Sequence, residues 1–139
     1  INNGNDVTIV GYGSTLRIIQ DAIKKLEEVG ISCELIDVQT LLPFDSSHTI
    51  VDSIKKTNKV VFIDEDVPGG ATSYMMQKVL EEQKAYLHLD AAPLTITSKA
   101  HRPAYGTDGD YFSKPNAEEI FIRIYELMSE YNPNKYPVF

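Results

Sequence analysis

Apolar positions recur along the chain in two alternating rhythms. Between Asp6 and Tyr12 the run Val7, Thr8, Ile9, Val10 is bounded by Gly4 and Gly11, which predicts a buried strand. The period then lengthens: Leu16, Ile19, Ala22, Ile23, Leu26 and Val29 fall at helical spacing, with Ser14 or Thr15 placed to cap and Gly30 to stop the helix. Ile31 to Val38 predicts a second strand. Pro43 and Asp45 open a helix carrying Ile50, Val51 and Ile54, and Lys59 to Asp64 predicts a third strand. Gly69 and Gly70 lead into a helix with Met75, Met76, Val79 and Leu80, followed by a short strand from Leu94 to Thr97. A closing helix begins at Asn116, placed to cap Glu119, and runs apolar through Ile120, Phe121, Ile124, Leu127 and Met128.

Strands alternating with helices imply a three-layer α/β/α domain with a central, mainly parallel sheet. Residues 7 to 12, 32 to 38, 60 to 64 and 94 to 97 are its expected strands, and Leu26, Ile36, Val61 and Ile124 its expected core. There is no internal repeat, and the one long irregular stretch is Ser98 to Pro115. At 139 residues the chain has the size of a single domain, 1–139, with a core from about 6 to 131.

Composition narrows the function classes. A hydrophobic share of 42% and a charged share of 24% are those of an ordinary globular protein, and the longest apolar runs, such as Val60 to Ile63, are too short to span a bilayer. The net charge of −7, with no lysine or arginine run, disfavours nucleic acid and favours a cationic partner surface. Cys33 is the one cysteine, so neither a disulfide framework nor a thiolate metal cluster is available, and a reducing, cytoplasmic setting is expected. The opening Ile1-Asn2-Asn3-Gly4-Asn5 has neither an initiator Met nor the apolar core of a signal peptide, and the chain reads as a piece cut from a longer polypeptide.

Three local patterns approach known chemistry and stop short. Gly11-Tyr12-Gly13-Ser14, with Asp37 ending the second strand, has the outline of a dinucleotide-binding turn, but Leu16 stands where the third glycine is needed. Asp64-Glu65-Asp66 before Gly69 looks like a calcium loop, yet Pro68 and Met75 take two ligand positions. The G-D-G element that begins a thiamine-diphosphate magnesium site is absent, since Gly109-Asp110-Tyr111 breaks it. His48, His88 and His101 are widely separated and no nucleophile elbow occurs. No catalytic, cofactor-binding or metal-ligating residue is therefore assigned. Glu65, at the carboxyl end of a strand, and His101 beside Arg102 in the irregular stretch remain interface candidates.

Taken in order, several segments resemble the C-terminal domain shared by transketolases and the β subunits of 2-oxo acid dehydrogenases. Asp6-Val7-Thr8-Ile9-Val10-Gly11-Tyr12-Gly13 is similar to that family's D-V-T-I-V-x-x-G strand. The run from Gly30 to Asp45 resembles G-I-x-x-E-V-I-D-L-R-T-L-x-P-x-D, and Lys55 to Val61 resembles K-K-T-x-R-x-V. Glu65 takes the glutamate of the family's H-E-A-P loop, Gly69-Gly70 its following glycines, and Asp90-Ala91-Ala92-Pro93-Leu94 its D/E-A-P element. The sequence departs from the pattern at Asp64 for the loop histidine, in a loop one residue shorter, at Gln39 for arginine, and at His101-Arg102-Pro103 for D-T-P.

The resemblance implies a division of labour. Two preceding domains of the parent enzyme would hold thiamine diphosphate and magnesium, while this domain supports assembly and partner docking and is catalytically silent alone. The parent reaction would be decarboxylation of a 2-oxo acid with reductive transfer of the acyl group to a lipoyl arm. Implied partners are the remaining dehydrogenase domains or an α subunit, in a homodimer or a heterotetramer of two α and two β subunits, and the small, basic subunit-binding domain of the lipoyl acyltransferase. Asp90 and the carboxylate of Phe139, with Glu65, His101 and Arg102, are the docking or interface candidates. Two other readings stay open: an independent nucleotide- or anion-binding α/β module using the Gly11 to Ser14 turn, and the C-terminal domain of a transketolase or deoxyxylulose-phosphate synthase.

Overall fold

Among the described residues four parallel strands form one sheet in the order β2-β1-β3-β4: β1 Val7–Gly11, β2 Cys33–Asp37, β3 Val60–Ile63 and β4 Leu94–Ile96. They belong to a computed structural model that describes residues 4–13, 15–38, 49–64, 75–97 and 116–137. Helices α1 Thr15–Glu28, α2 Thr49–Thr57 and α3 Ala117–Tyr131 accompany them. The proposed openings at Ser14, Pro43 to Asp45 and Gly69-Gly70, and the stretch Ser98 to Pro115, lie outside the described residues.

Alternation along β1 divides the core into two layers. Val7 and Ile9 join Ile19, Ile23 and Leu26 of α1 and Ile120, Ile124 and Met128 of α3 on one face. Val10 joins Ile50, Val51 and Ile54 of α2 with Phe62, Met75 and Val79 on the other. The sheet is therefore covered on both sides, the expected three-layer arrangement. Polar contacts also cross the second layer: the buried Thr8 Oγ1 lies 2.7 Å from both Ser53 Oγ and Thr57 Oγ1, tying β1 to α2.

The predicted boundaries hold with instructive exceptions. Gly30, at φ +85°, ends α1 as expected; Ile31 N–H donates to the Leu26 carbonyl at 2.9 Å and Gly30 N–H to that of Glu27 at 3.1 Å, a Schellman closure. Val29 falls just past the helix and is exposed, so it leaves the apolar face that the spacing gave it. Thr15 does not cap through an accepting oxygen; its hydroxyl donates to the Tyr12 carbonyl at 2.6 Å. Leu26, Val61 and Ile124 are fully buried, but Ile36 is half-buried: on β2, an outer strand among the described residues, it points to the α2 face, whereas Cys33 and Leu35 on the other face are fully covered.

The segment after Met75 departs from the predicted α-helix. Gln77–Glu82 is a π-helix, closed by Gln83 N–H donating to the Lys78 carbonyl at 2.9 Å, and Ala85–His88 is a 3-10 turn. Lys84 between them adopts φ 59°, ψ 30°, which breaks the helical path and lets the chain turn toward β4. Among the described residues no helix is long and apolar enough to cross a membrane.

Candidate functional site

At the carboxyl ends of β1 and β3 the chain departs to opposite faces of the sheet, to α1 from one and toward the π-helix from the other. That is the switch point where open α/β sheets usually bind ligands. Among the described residues the backbone next to it is tied to its own chain. Gly11 is packed so closely that a Cβ would come within 2.5 Å of Ile19 Cδ1, and Val38 N–H is bound to the Gly11 carbonyl at 2.9 Å. The Thr15 hydroxyl turns back on Tyr12, and Leu16 N–H donates to the Gly13 carbonyl at 3.3 Å. An incoming phosphate needs such N–H groups pointing outward. The Leu16 N–H of this turn is thus spent within the chain, and Ser14 of the Gly11 to Ser14 turn lies outside the described residues. Asp37 lies beside Gly11 in register, half-buried, and Asp64 is buried at the end of β3.

The opposite, amino edge carries the denser polar constellation. A cleft of ≈ 230 Å³ is lined by Asn5, Asn58, Lys59, Asp90, Tyr131 and Lys135 among others. Three elements bring it together. Lys59 sits immediately before β3, Asp90 shortly before β4, and Tyr131 is the last residue of α3. Lys59 is buried, with its ammonium 3.0 Å from Asp90 Oδ1 and 3.5 Å from the centroid of the Tyr131 ring. Burial of a lysine charge is tolerated only with such compensation. Backbone contacts fix the pair: Asp90 N–H donates to the Asn58 carbonyl at 2.9 Å, and Asn58 Nδ2 donates to the His88 carbonyl at 2.7 Å. Asn58 reaches this position through φ 63°, a left-handed turn that asparagine accepts readily.

Asp90, proposed from sequence as a docking carboxylate, is thus engaged by Lys59, and its charge is compensated where it stands. Glu65, His101, Arg102 and Phe139 lie outside the described residues. Lys59 itself was not expected from the sequence, since a lysine before a strand ordinarily points to water. The signal available was its place between the buried Thr57 and Val60.

Titration behaviour points to structure more than to chemistry. Burial, with the nearby charges of Glu27 and Asp6, pushes the Cys33 thiol up to about 12, so it is no nucleophile at neutral pH. Glu34 feels desolvation most, which raises its pKa, but the Lys56 ammonium, the Ser53 hydroxyl and Gly4 N–H together hold it below the ordinary carboxylate value. A hydrogen bond with Tyr136 raises Lys135, which is fully exposed. Among the described residues no three His, Cys, Asp or Glu side chains gather as a metal site.

Comparison with known proteins agrees with this picture. The family model for the transketolase C-terminal domain matches residues 1–120. Pyruvate dehydrogenase E1 component subunit beta of Acholeplasma laidlawii is 34% identical over 127 residues, covering 91% of this chain and 38% of that protein. The mitochondrial 2-oxoisovalerate dehydrogenase subunit beta of Dictyostelium discoideum is 39% identical over 92 residues, or 66% of this chain and 24% of the relative. The chain thus spans well under half the length of these relatives. A solved structure described as "Split gene transketolase, inactive beta4 tetramer" superposes with a TM-score of 0.69 at 23% identity, over 92% of this chain and 40% of the other, and shares the fold.

Proposed function

The chain belongs to the transketolase C-terminal domain family, and from that premise we propose that residues 1–139 form the C-terminal assembly and docking domain of the β subunit, or of a fused α/β chain, of a 2-oxo acid dehydrogenase decarboxylating component. The observation that carries the reading is the 34% identity over 91% of the chain to a pyruvate dehydrogenase β subunit, matched onto 38% of that protein. The parent would oxidatively decarboxylate a 2-oxo acid, pyruvate or a branched-chain acid, and pass the acyl group to a lipoyl arm. Thiamine diphosphate and magnesium would sit in the preceding domains or at their junction with an α subunit. The ion-paired cleft supports a role in holding and presenting surfaces.

The test compares two preparations. The parent, assembled with its α subunit or its own preceding domains, is expected to acylate the lipoyl acyltransferase in a thiamine-diphosphate-dependent reaction when given a 2-oxo acid. The 139-residue chain alone is expected to show no such turnover and no thiamine-diphosphate binding by calorimetry with magnesium. Micromolar binding by the isolated chain, or a parent inert toward every 2-oxo acid but active on ketose phosphates, overturns the assignment.

A further inference from the structure

The amino-edge cleft holds more charge than its own ion pairs use. Among the described residues three lysines, two aspartates and three asparagines line it. Lys56 is paired with Glu34 and Lys59 with Asp90, but Lys135 and Asp6 enter none of the ion pairs among those residues. The two nevertheless act on each other. A hydrogen bond with Tyr136 does most to raise the Lys135 pKa, and the charge of Asp6 adds to it. An ammonium and a carboxylate thus stand beyond ion-pair contact and within electrostatic reach. Both are anchored. Asp6 N–H donates to the Ser32 carbonyl at 2.9 Å and Ser32 N–H to Asp6 Oδ2 at 2.7 Å, which leaves Oδ1 without a hydrogen bond among the described residues. On the other side Lys135 N–H donates to Asn132 Oδ1 at 3.3 Å, and the buried Tyr136 holds the segment through its N–H on the Asn132 carbonyl at 2.9 Å.

A ligand that bridges this gap must present a carboxylate to Lys135 and an ammonium to Asp6. A phosphate or a dicarboxylate would bring only negative charge to a cleft that already contains two carboxylates, on a chain of net charge −7. The volume of ≈ 230 Å³ lies below that of drug-sized pockets, which restricts the ligand to a few heavy atoms. A compact zwitterion meets both conditions. We infer that the cleft binds a small polar α-amino acid, its carboxylate on the Lys135 ammonium and the Asn132 amide nitrogen, its ammonium on Asp6 Oδ1, and the Lys59–Asp90 pair behind it. Such a ligand ties the entry to β1 to the segment after α3. The family model matches residues 1–120, so the side of the site built by Asn132 and Lys135 comes from outside that match.

The experiment titrates the assembled parent with L-serine by ligand-observed NMR, beside ethanolamine, which lacks the carboxylate, and 3-hydroxypropionate, which lacks the ammonium. L-Serine should bind saturably, in the roughly millimolar range for so few contacts, and each half-molecule about tenfold more weakly or worse. Lys135→Gln and Asp6→Asn should each weaken L-serine about tenfold, the loss of one charge-assisted hydrogen bond. Neither change threatens the fold, because Lys135 is exposed and an asparagine oxygen still accepts from Ser32 N–H. Lys24→Gln, which removes an exposed lysine from α1, should leave binding unchanged. Absence of saturable L-serine binding overturns the inference, as does binding that either cleft variant leaves intact. Equal binding of 3-hydroxypropionate or of ethanolamine would make this a site for one charge alone and overturns it as well.

Discussion

Lys59 and Asp90 form an unequal ion pair: the lysine side chain is 4% exposed and the aspartate 38%, at 3.0 Å. The two partners therefore differ in what each loses when the other is removed. Asp90→Asn strands an ammonium that water reaches poorly and should cost about 2 kcal/mol or more. Lys59→Met leaves a carboxylate that can be rehydrated and should cost about 1 kcal/mol or less. Urea unfolding of both variants checks the order, and a larger loss for Lys59→Met would show that the buried end is not the costly one. Asp90→Lys would set two ammonium groups together, so a docking defect in that variant alone would not identify a contact.

The hydroxyl cluster of Thr8, Ser53 and Thr57 should behave as a unit. Thr8→Val keeps the shape and removes the shared partner; Thr57 retains the Lys59 carbonyl at 3.0 Å. The expected loss is about 1–3 kcal/mol, set by the polar groups left unsatisfied. Adding Ser53→Ala should cost less than it does in the parent, and strictly additive losses in a double-mutant cycle would refute the coupling.

Gly11→Ala should be destabilising because its methyl meets Ile19 Cδ1 at 2.5 Å in a full core. Overpacking of this kind costs about 1–3 kcal/mol. Ile19→Val removes the obstructing carbon and alone should cost about 1 kcal/mol. The double variant should be more stable than Gly11→Ala. Thermal melts of the four proteins decide it, and a double variant that is the least stable would place the conflict elsewhere.

Acid stability should depend on Glu34. Its folded-state pKa is lowered, with desolvation outweighed by its partners, so its stabilisation is complete above the ordinary carboxylate range and is lost as pH falls through the lowered value. The melting temperature of Glu34→Gln should start below the parent at neutral pH and converge on it with acidification. Lys56→Met should show the same convergence. Parallel curves down to about pH 3 would mean the pair carries no linkage.

What was legible in the sequence was whatever depends on neighbours in the chain. The Asn116 side chain accepts from Glu119 N–H at 2.9 Å as its spacing required, and the apolar periods of α1 and α3 place Leu26 and Ile124 in the core. The π-helix was not legible, because Met75 and Val79, four residues apart, suit an α-helix equally well, and only the path to Lys84 distinguishes them. Nor was Lys59, whose partners Asp90 and Tyr131 reach it only after the sheet has formed. Ile36 fits the strand pattern but lies on β2, and whether a strand ends up central or outer is decided by pairing order. Asp90 was picked out by its place in a family element and by net charge, neither of which registers a compensating lysine.

Parallel pairing throughout the sheet also sets the timing of folding. Val7 aligns with Cys33, Thr8 with Val60 and Val61 with Leu94, so among the described residues every pairing spans at least one intervening helix and none is a hairpin that could serve as a local nucleus. Non-local topologies of this kind fold on a scale of about milliseconds to seconds, slower than bundles of comparable size. During synthesis β1 is made first but sits between β2 and β3 in the finished sheet. It must wait, apolar and unpaired on its second side, until α2 and β3 have left the ribosome, and this interval is when the nascent chain is most open to chaperone capture or to association with another copy.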